Sequence, residues 1–174
     1  LKKGKKNFRK SMKTYFGTET LESMSQAGFY NNWILGKFKK YLKGEILEVG
    51  CGIGNFTNTL AKFGKITAID VDKNLVEKIK RAKNPFVNAG YGDIELGYYF
   101  FKNKKFDAII CLNVLEHLRN DLAALRNMNE LLKENGNLIV LVPGHKFLYG
   151  SLDRSIGHFR RYEKDELANK LKKS

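Results

Sequence analysis

Cysteine, proline and long apolar runs are all scarce in this chain. It contains two cysteines, Cys51 and Cys111, far apart in the sequence, and two prolines. This cysteine usage excludes a disulfide-stapled fold and lacks metal-ligand spacing, so we expect two buried free thiols in a reducing, cytoplasmic compartment. No apolar run approaches the roughly 20 residues of a membrane-spanning helix. No apolar segment follows the basic first residues, so a signal peptide is not expected either.

Acidic residues are few as well. The chain has 18 Asp and Glu against 32 Lys and Arg, and its formal net charge is +14. Much of the excess lies in residues 1–43, where eleven Lys and Arg oppose Glu19 and Glu22. This distribution weakens a nucleic-acid interpretation and favours a lysine-rich solvated surface. Contact with an anionic membrane surface or a phosphorylated acceptor is compatible with the charge.

The pattern along the 174 residues predicts one α/β domain behind a basic arm. We interpret residues 1–24 as an N-terminal arm or short helices, and residues 25–174 as the domain. The predicted strands are Glu45–Val49, Lys65–Asp70, Phe86–Tyr91, Lys105–Leu112 and Asn137–Val142. The predicted helices are 25–43, Asn55–Phe63, Lys73–Lys83, Asp121–Glu134 and Glu163–Lys173.

Strands that are apolar on both faces and alternate with helices predict a doubly wound, mostly parallel sheet with helices on both faces. The chain begins with Leu1 and stops where a further strand would follow. We therefore expect a piece of a longer protein, with a sheet that is incomplete at its C-terminal end.

One stretch, Ile46–Thr57, predicts a ligand-binding turn. It reads I-L-E-V-G-C-G-I-G-N-F-T, so an apolar strand ends near an acid and three glycines follow at every second position. Glycine lets the backbone turn sharply and approach a ligand closely. The third glycine comes too early for the dinucleotide motif G-x-G-x-x-G, and no P-loop motif is present, so NAD, FAD and P-loop nucleotides are disfavoured.

Polar residues also follow the other predicted strands. In an open parallel sheet, ligands bind at the carboxyl ends of the strands. Asp70 ends the second strand, where an acid can accept both hydroxyls of a ribose. Asp93 follows the third strand, Asn113 to His117 follow the fourth, and His145 follows the fifth.

Taken together, these segments resemble the class I S-adenosylmethionine-dependent methyltransferases. The resemblance covers roughly residues 28–174 and rests on L-E-V-G-C-G-I-G-N-F-T, A-I-D-V-D, G-D-I, F-D-A-I-I-C-L-N-V-L-E-H-L and L-K-E-N-G-N-L-I-V-L-V-P, in the family's order. It implies a Rossmann-like fold, methyl transfer, and S-adenosylmethionine as cofactor with S-adenosylhomocysteine as product. The implied cofactor-binding residues are Glu48, Gly50, Cys51, Gly52, Gly54, Asp70, Val71, Asp93, Ile94, Asn113 and Leu115.

The resemblance also assigns roles within that set. The three glycines would line the methionine end of the cofactor, with Glu48 anchoring their loop. Asp70 would hold the ribose and Val71 would touch the adenine, whose amine Asp93 would bind beside Ile94. Asn113 and Leu115 would lie near the sulfonium.

A narrower resemblance concerns Leu148–Tyr162 and Tyr30-Asn31-Asn32-Trp33. These segments are similar to a bacterial and archaeal branch of the family, of the methyltransferase type 11/12 kind, whose members are often found with glycosyltransferases. In that branch the loop after the fifth strand covers the active site. The resemblance to the branch implies a small-molecule or glycan-type acceptor and a glycosyltransferase as a partner. The implied acceptor-binding residues are Tyr149, Asp153, His158, Arg160, Arg161 and Tyr162.

Methyl transfer is an in-line displacement at a sulfonium, for which the protein aligns the reactants and excludes water. A sugar hydroxyl as the acceptor would benefit from a general base. The three histidines, His117, His145 and His158, all follow strands, and we predict His117 and His158 as catalytic. No metal site is predicted.

Several of these residues also have ordinary structural interpretations. Asp93 could cap a turn, and His117 could start a helix or pack. Asp153 could form a loop-fixing ion pair with Arg160 and Arg161. Tyr30 and Trp33 are more typical of core residues than of cation–π partners of the sulfonium.

Three other functions stay open beside the leading one. The chain could methylate quinone-like small molecules, or it could be a non-catalytic cofactor-binding partner of a glycosyltransferase. An RNA-modifying enzyme is less favoured, because Asn113-Val114-Leu115-Glu116 is not a base-binding motif of the N-P-P-[YF] kind.

Overall fold

A six-stranded β-sheet lies at the centre of the computed structural model, which describes residues 28–174. Its strands are β1 (Glu45–Val49), β2 (Lys65–Asp70), β3 (Val87–Asp93), β4 (Tyr98–Tyr99), β5 (Phe106–Leu112) and β6 (Leu132–Leu141). The α-helices are α1 (Gly28–Phe38), α2 (Thr57–Leu60), α3 (Lys73–Arg81), α4 (Asp121–Leu131), α5 (Ser151–Ile156) and α6 (Lys164–Lys173). Short 3-10 helices cover Lys39–Tyr41, Leu115–His117 and Lys146–Leu148. The predicted N-terminal arm lies outside the described residues.

The strand order is β4-β3-β2-β1-β5-β6, and all neighbours are parallel except β3 and β4. The chain builds the sheet outward from β1 to β3, then returns to the other side of β1 with β5. This reversal makes the carboxyl end of β1 the switch point of the sheet, where neighbouring connections leave in opposite directions and open a crevice.

Both faces of the sheet are covered, because the inner strands carry apolar residues on both sides. Ile46 and Leu47 are adjacent in β1, point to opposite faces and are both fully buried. Helices α1 and α3 pack on one face through residues such as Phe38 and Ile79, and α4 packs on the other through Leu125. The predicted doubly wound α/β fold is confirmed. None of the helices in residues 28–174 has the length and apolar character that crossing a membrane requires.

Several element boundaries differ from the prediction for local reasons. The first predicted helix, 25–43, is described from Gly28, and its last turn is a 3-10 helix. Strand β3 extends to Asp93 rather than Tyr91, because its end pairs with the two-residue strand β4, which is too short to show a sequence pattern. Helix α2 is limited to Thr57–Leu60 instead of Asn55–Phe63, since the preceding residues belong to the glycine turn. Helix α5 (Ser151–Ile156) was not predicted from the sequence.

Helix α4 and strand β6 meet earlier than predicted. The helix ends at Leu131 rather than Glu134, because Leu132 already pairs with Phe106 of β5. The register then shifts between Phe106 and Ala108, and Asn135 adopts a left-handed conformation with φ of 61°. The segment that reads as the end of a helix is thus a bulged start of a strand.

Glu48 of β1 is a buried acid that ties the strand to the first helix after it. The Thr57 hydroxyl donates a 2.6 Å hydrogen bond to Glu48 Oε2. Burial raises the pKa of Glu48 from 4.5 to about 8, the Thr57 hydrogen bond opposes that rise, and the nearby Asp70 adds to it. The proton therefore stays on this carboxyl in the folded protein near neutral pH.

The glycine that closes the turn before β2 gives a test of close backbone packing. A Cβ on Gly64 would overlap the Gly44 carbonyl oxygen, which also accepts the Lys65 amide hydrogen bond. We expect Gly64→Ala to lower the free energy of unfolding by about 1–3 kcal/mol, because backbone atoms must shift. Gly36→Ala, on the exposed side of α1 with open space around it, should instead add about 0.5–1 kcal/mol. Urea unfolding followed by circular dichroism measures both, and a neutral Gly64→Ala would contradict the packing.

The raised pKa of Glu48 can be tested through the pH dependence of the free energy of unfolding. Its folded pKa is above its unfolded pKa, so its contribution to stability is complete below about pH 4.5 and is lost as the pH rises to about 8. Glu48→Gln keeps an oxygen for Thr57 and has no proton to lose. We expect the variant to gain up to about 1.4 kcal/mol per pH unit relative to the parent across that interval, in urea unfolding without added ligand. Glu77→Gln, at an exposed ion pair on α3, is the control; parallel pH profiles for Glu48→Gln and the parent would refute the assignment.

Candidate functional site

A cavity of about 560 Å³ opens at the carboxyl ends of the strands, where the strand order predicts a crevice. It is within the size range of small-ligand sites. Its walls come from the ends of β1, β2, β3 and β5, from the segment after β6 and from α1. The lining residues are Tyr30, Val49, Gly50, Gly52, Asp70, Val71, Leu75, Gly92, Asp93, Ile94, Asn113, Val114, Glu116, His117, Leu118, Pro143, Ile156 and His158.

The glycine turn forms one wall because its backbone folds over the end of β2. Gly50, Gly52 and Gly54 all have positive φ, at 71°, 54° and 91°. The amides of Gly50 and Cys51 donate to the Ile69 carbonyl oxygen over 2.8 and 3.1 Å. A Cβ on Gly50 would overlap the Val114 side chain. The turn is therefore held in one shape, with Gly50 and Gly52 facing the cavity.

Asp70 stands at the end of β2 and supports that turn. Its Oδ2 accepts the Gly52 amide and its Oδ1 accepts the Asp72 amide, both at 2.9 Å. Burial raises the pKa of Asp70, and these two hydrogen bonds oppose the rise. A carboxylate oxygen accepts more than one hydrogen bond, so Asp70 can also receive donors from a ligand in the cavity. Val71 and Leu75 add apolar surface beside it.

The end of β3, the strand beside β2, forms the next part of the cavity wall. Asp93 and Ile94 both line it. Asp93 Oδ1 accepts the amides of Glu95 and Leu96 at 2.9 and 3.0 Å, so Asp93 does cap a turn. Capping and lining the cavity are compatible, since the second carboxylate oxygen is not used by these two bonds.

Asn113 follows β5 in a left-handed conformation, with φ of 54°. Its amide donates to the Leu141 carbonyl oxygen at 2.8 Å, and it lines the cavity. Asparagine tolerates this backbone region better than most residues, and such outliers are common at functional sites. Leu115, also predicted at the cofactor, is fully buried in the core below and is not a lining residue.

The remaining predicted cofactor residues lie behind the turn. Glu48 and Cys51 border a smaller space of about 90 Å³, and burial raises the pKa of the Cys51 thiol. Gly54 makes room for the Ile79 side chain. These three residues support the turn from below, where Glu48 contacts Thr57 rather than the main cavity. Both Cys51 and Cys111 are buried and free, as predicted.

A polar cluster of Glu116, His117 and His158 forms another wall of the cavity. Glu116 is fully buried, and neither of its carboxylate oxygens has a hydrogen-bond partner among the described residues. Its Oε1 lies 3.8 Å from His158 Nε2, and one ligand atom from each of the three residues lies within 4.8 Å of the others. Burial raises the pKa of Glu116 to about 7, and Asp153 adds to the rise. The sequence analysis predicted His117 and His158 as site residues but missed Glu116. The signal for Glu116 was an acid inside the apolar segment Val114–Leu118.

His158 is held in place by a buried carboxylate. Its Nδ1 lies 2.9 Å from Asp153 Oδ1, and Asp153 is 2% exposed. The same oxygen accepts Arg161 Nε at 2.9 Å, and Asp153 Oδ2 accepts the Gly150 amide at 2.9 Å. The Arg161 hydrogen bond, joined by those of Gly150 and His158, keeps the pKa of Asp153 well below its usual range. His158 thus presents Nε2 to Glu116.

A second buried carboxylate, Asp121, fixes the rest of this segment. Tyr162 donates its hydroxyl to Asp121 Oδ2 at 2.9 Å, and Arg160 and Lys170 form ion pairs with the same oxygen at 3.0 and 2.7 Å. The Tyr149 hydroxyl donates to the His158 carbonyl oxygen at 2.9 Å.

Of the predicted acceptor residues, His158 lines the cavity and the other five surround and support it. Tyr149, Asp153, Arg160, Arg161 and Tyr162 form the ion pairs and hydrogen bonds described above, which matches the loop-fixing alternative for Asp153 with Arg161. Arg160 pairs with Asp121 rather than Asp153. An acceptor-binding role for these five residues stays a prediction.

Three aromatic or histidine residues are placed differently from the simplest expectation. Trp33 is 52% exposed, with the Lys37 ammonium 4.8 Å from its ring, so it is not a core residue. The Tyr30 ring is tilted by 30° to the Trp33 ring, with centroids 6.1 Å apart, and Tyr30 lines the cavity. His145 is exposed on the turn after β6, beside Phe147 and outside the cavity lining.

The arrangement suits a nucleoside-sized ligand with a polar reaction partner at its side. Asp70 can accept hydroxyl donors, Val71, Leu75 and Ile94 offer apolar contacts for a ring, and the glycine turn gives close backbone approach. The Glu116 cluster offers groups that can handle a proton or a cation.

Comparisons with known proteins agree with this geometry. A family model described as a methyltransferase domain matches residues 17–174. The ubiquinone biosynthesis O-methyltransferase of Coxiella burnetii is 33% identical over 117 residues, covering 66% of this chain and 46% of that protein. An uncharacterized protein of Methanocaldococcus jannaschii is 34% identical over 109 residues, covering 63% of this chain and 45% of that protein. The chain spans about half the length of these curated relatives.

Among solved structures, the DhpI-SAM-HEP complex has the same fold. Its TM-score is 0.69 at 17% identity, over 97% of this chain and 86% of that one. Because the family model matches nearly all of the residues that build the sheet and the cavity, the chain belongs to the methyltransferase domain family.

Proposed function

We propose that this chain forms the catalytic domain of an S-adenosylmethionine-dependent methyltransferase that acts on a hydroxyl group of a small acceptor. The observation that carries the proposal is Asp70, a carboxylate at the switch-point cavity that is tied to the glycine turn through Gly52. The family match supports the activity, and the DhpI complex, which contains SAM, supports the cofactor.

The residues present fit this cofactor at both ends. Gly50 and Gly52 would lie against its methionine part, and Asp70 would accept its ribose hydroxyls. Val71, Leu75 and Ile94 would contact the adenine, with Asp93 near its amine. When bound, the cofactor supplies an activated methyl group on a sulfonium that leaves as a neutral thioether.

The acceptor would occupy the side of the cavity lined by Glu116, His117 and His158. A hydroxyl becomes a good nucleophile only when its proton is lost, and these titratable groups lie where such a proton would be released. The cavity formed by the described residues measures about 560 Å³, the size of a small-molecule site, so we favour a small molecule or a single sugar unit over a macromolecule as the acceptor. The Coxiella burnetii relative, an O-methyltransferase of ubiquinone biosynthesis, supports a hydroxyl acceptor.

A non-catalytic cofactor-binding module is the main alternative. It would bind the cofactor in the same way but would have no use for the wall of Glu116, His117 and His158 beside it. A glycosyltransferase partner and a cytoplasmic location stay predictions from the sequence.

Cofactor binding can be tested with two matched substitutions. We expect titration calorimetry to detect binding of S-adenosylmethionine and S-adenosylhomocysteine to the parent protein. Asp70→Asn should lower the affinity for both by about 10–100-fold, because charge-assisted hydrogen bonds are lost. Asp72→Asn removes the same charge two residues away and keeps an oxygen for the α3 cap, so its affinity should be unchanged. Absence of heat with either ligand in the parent protein would sink the proposal.

The acceptor wall can be tested by turnover. Methyl transfer from labelled cofactor to a panel of quinol-like and sugar hydroxyl acceptors should identify a substrate class. His158→Ala should lower that transfer by about 100-fold or more while leaving S-adenosylhomocysteine affinity unchanged. His145→Ala, outside the cavity, should match the parent. Loss of cofactor binding in His158→Ala would contradict the assignment of this wall, and cofactor binding without transfer to any acceptor would favour the non-catalytic module.

A further inference from the structure

The Glu116 cluster has the composition of a metal site. It brings one carboxylate and two imidazoles to one wall, and one ligand atom from each lies within 4.8 Å of the others. Glu116 Oε1 and His158 Nε2 are 3.8 Å apart. Two ligands of one ion, each about 2.1 Å from it, lie roughly 3–3.5 Å apart, so small side-chain rotations would close the site.

Glu116 independently indicates a missing partner. Its side chain is fully buried, yet neither oxygen accepts a hydrogen bond from any residue in 28–174. An ionised carboxylate in such a place is costly unless it is paired or coordinates a cation, and without such a partner the group keeps a proton instead. His158 lies too far from Glu116 for a hydrogen bond, so an ion between them would satisfy both groups.

The surroundings of His158 match those of a metal ligand. A ligating histidine usually donates its other ring nitrogen to a carboxylate or a backbone carbonyl, which fixes its orientation. His158 places Nδ1 on Asp153, at 2.9 Å, and leaves Nε2 toward Glu116. The His117 ring contacts the His158 ring edge to face, with centroids 4.6 Å apart. Asp153 belongs to the segment that covers the cavity, so the site forms only when that segment is folded.

We propose that Glu116, His117 and His158 bind one divalent transition-metal ion at the acceptor wall. A set of two nitrogens and one oxygen suits Zn²⁺, Mn²⁺, Fe²⁺ or Co²⁺ better than Mg²⁺ or Ca²⁺, which prefer all-oxygen sites. Three protein ligands leave open positions, as in catalytic rather than structural sites.

This inference rests on the proposed function for its chemical role. An acceptor hydroxyl in contact with the ion would lose its proton to solvent at a lower pH than the free hydroxyl. The oxygen would then form its bond to the methyl carbon while the carbon–sulfur bond breaks, and the electron pair of that bond would stay on sulfur. His117 and His158 would act as ligands in this step, in place of the general-base role predicted from the sequence.

Metal binding can be measured directly on the chain without any acceptor. We expect the metal-free protein to bind one Co²⁺, with visible d–d absorption typical of a site with nitrogen ligands, and one Zn²⁺ by competition. Glu116→Gln, which preserves the shape of the side chain, and His158→Ala should each lower the affinity for Zn²⁺ by at least 10-fold. His145→Ala should leave that affinity unchanged. Asp153→Asn should weaken it about 10–100-fold by releasing the His158 ring.

Cofactor affinity in the same samples separates the two proposals. If S-adenosylhomocysteine binds while Co²⁺ and Zn²⁺ do not, or if Glu116→Gln binds Zn²⁺ as tightly as the parent, the metal site is refuted and the proposed function stands. Folding of each variant is checked by its unfolding midpoint. If Asp153→Asn unfolds, Glu116→Gln still decides the question, because it leaves the Asp153 network intact.

Discussion

The cavity depends on how the chain leaves β1. A strand with parallel neighbours on both sides has its backbone groups committed up to Val49, and the next residues must turn away without leaving amides unpaired. Gly50 and Cys51 solve this by donating to Ile69, and Gly52 donates to Asp70. The end of β2 therefore holds the exit of β1, and the same bonds that satisfy the backbone aim a carboxylate at the crevice.

Two buried carboxylates hold the segment at the Glu116 cluster in place, as Asp70 holds the glycine turn. Asp153 gathers Gly150, His158 and Arg161, while Asp121 gathers Tyr162, Arg160 and Lys170. The segment they fix has few apolar residues facing the core, so polar contacts rather than hydrophobic burial decide its position. Removing one partner from such a network leaves a buried charge uncompensated, which costs more than the pair contributes.

The sequence predicted the sheet well because its strands are apolar on both faces and are separated by glycine or proline. The same reasoning located Asp70, Asp93 and Asn113, since topology alone brings strand ends to one edge. It could not separate residues that touch the cavity from those that support it. Asp153 and Tyr162 look like ligands in the sequence, and only the three-dimensional contacts show them bonded to Arg161, His158 and Asp121. The end of α4 was overextended because Leu132 fits a helical stripe as well as it fits a bulged strand.

Glu116 is the residue where local rules and the observed structure disagree most, and for that reason it says most about the site. Its neighbour Leu115 is fully buried in the core, and Leu118 packs against that core while also lining the cavity. Glu116, between these two leucines, is fully buried and accepts no hydrogen bond from residues 28–174. His158 lies nearby, but its ring is held by Asp153. A network that orients one histidine and leaves a carboxylate unsatisfied beside it is incomplete as a stabilising device. Burial raises the pKa of Glu116 to about 7, so its carboxyl can hold a proton or meet a cation at the wall of the cavity, and both states belong to the chemistry proposed for this site.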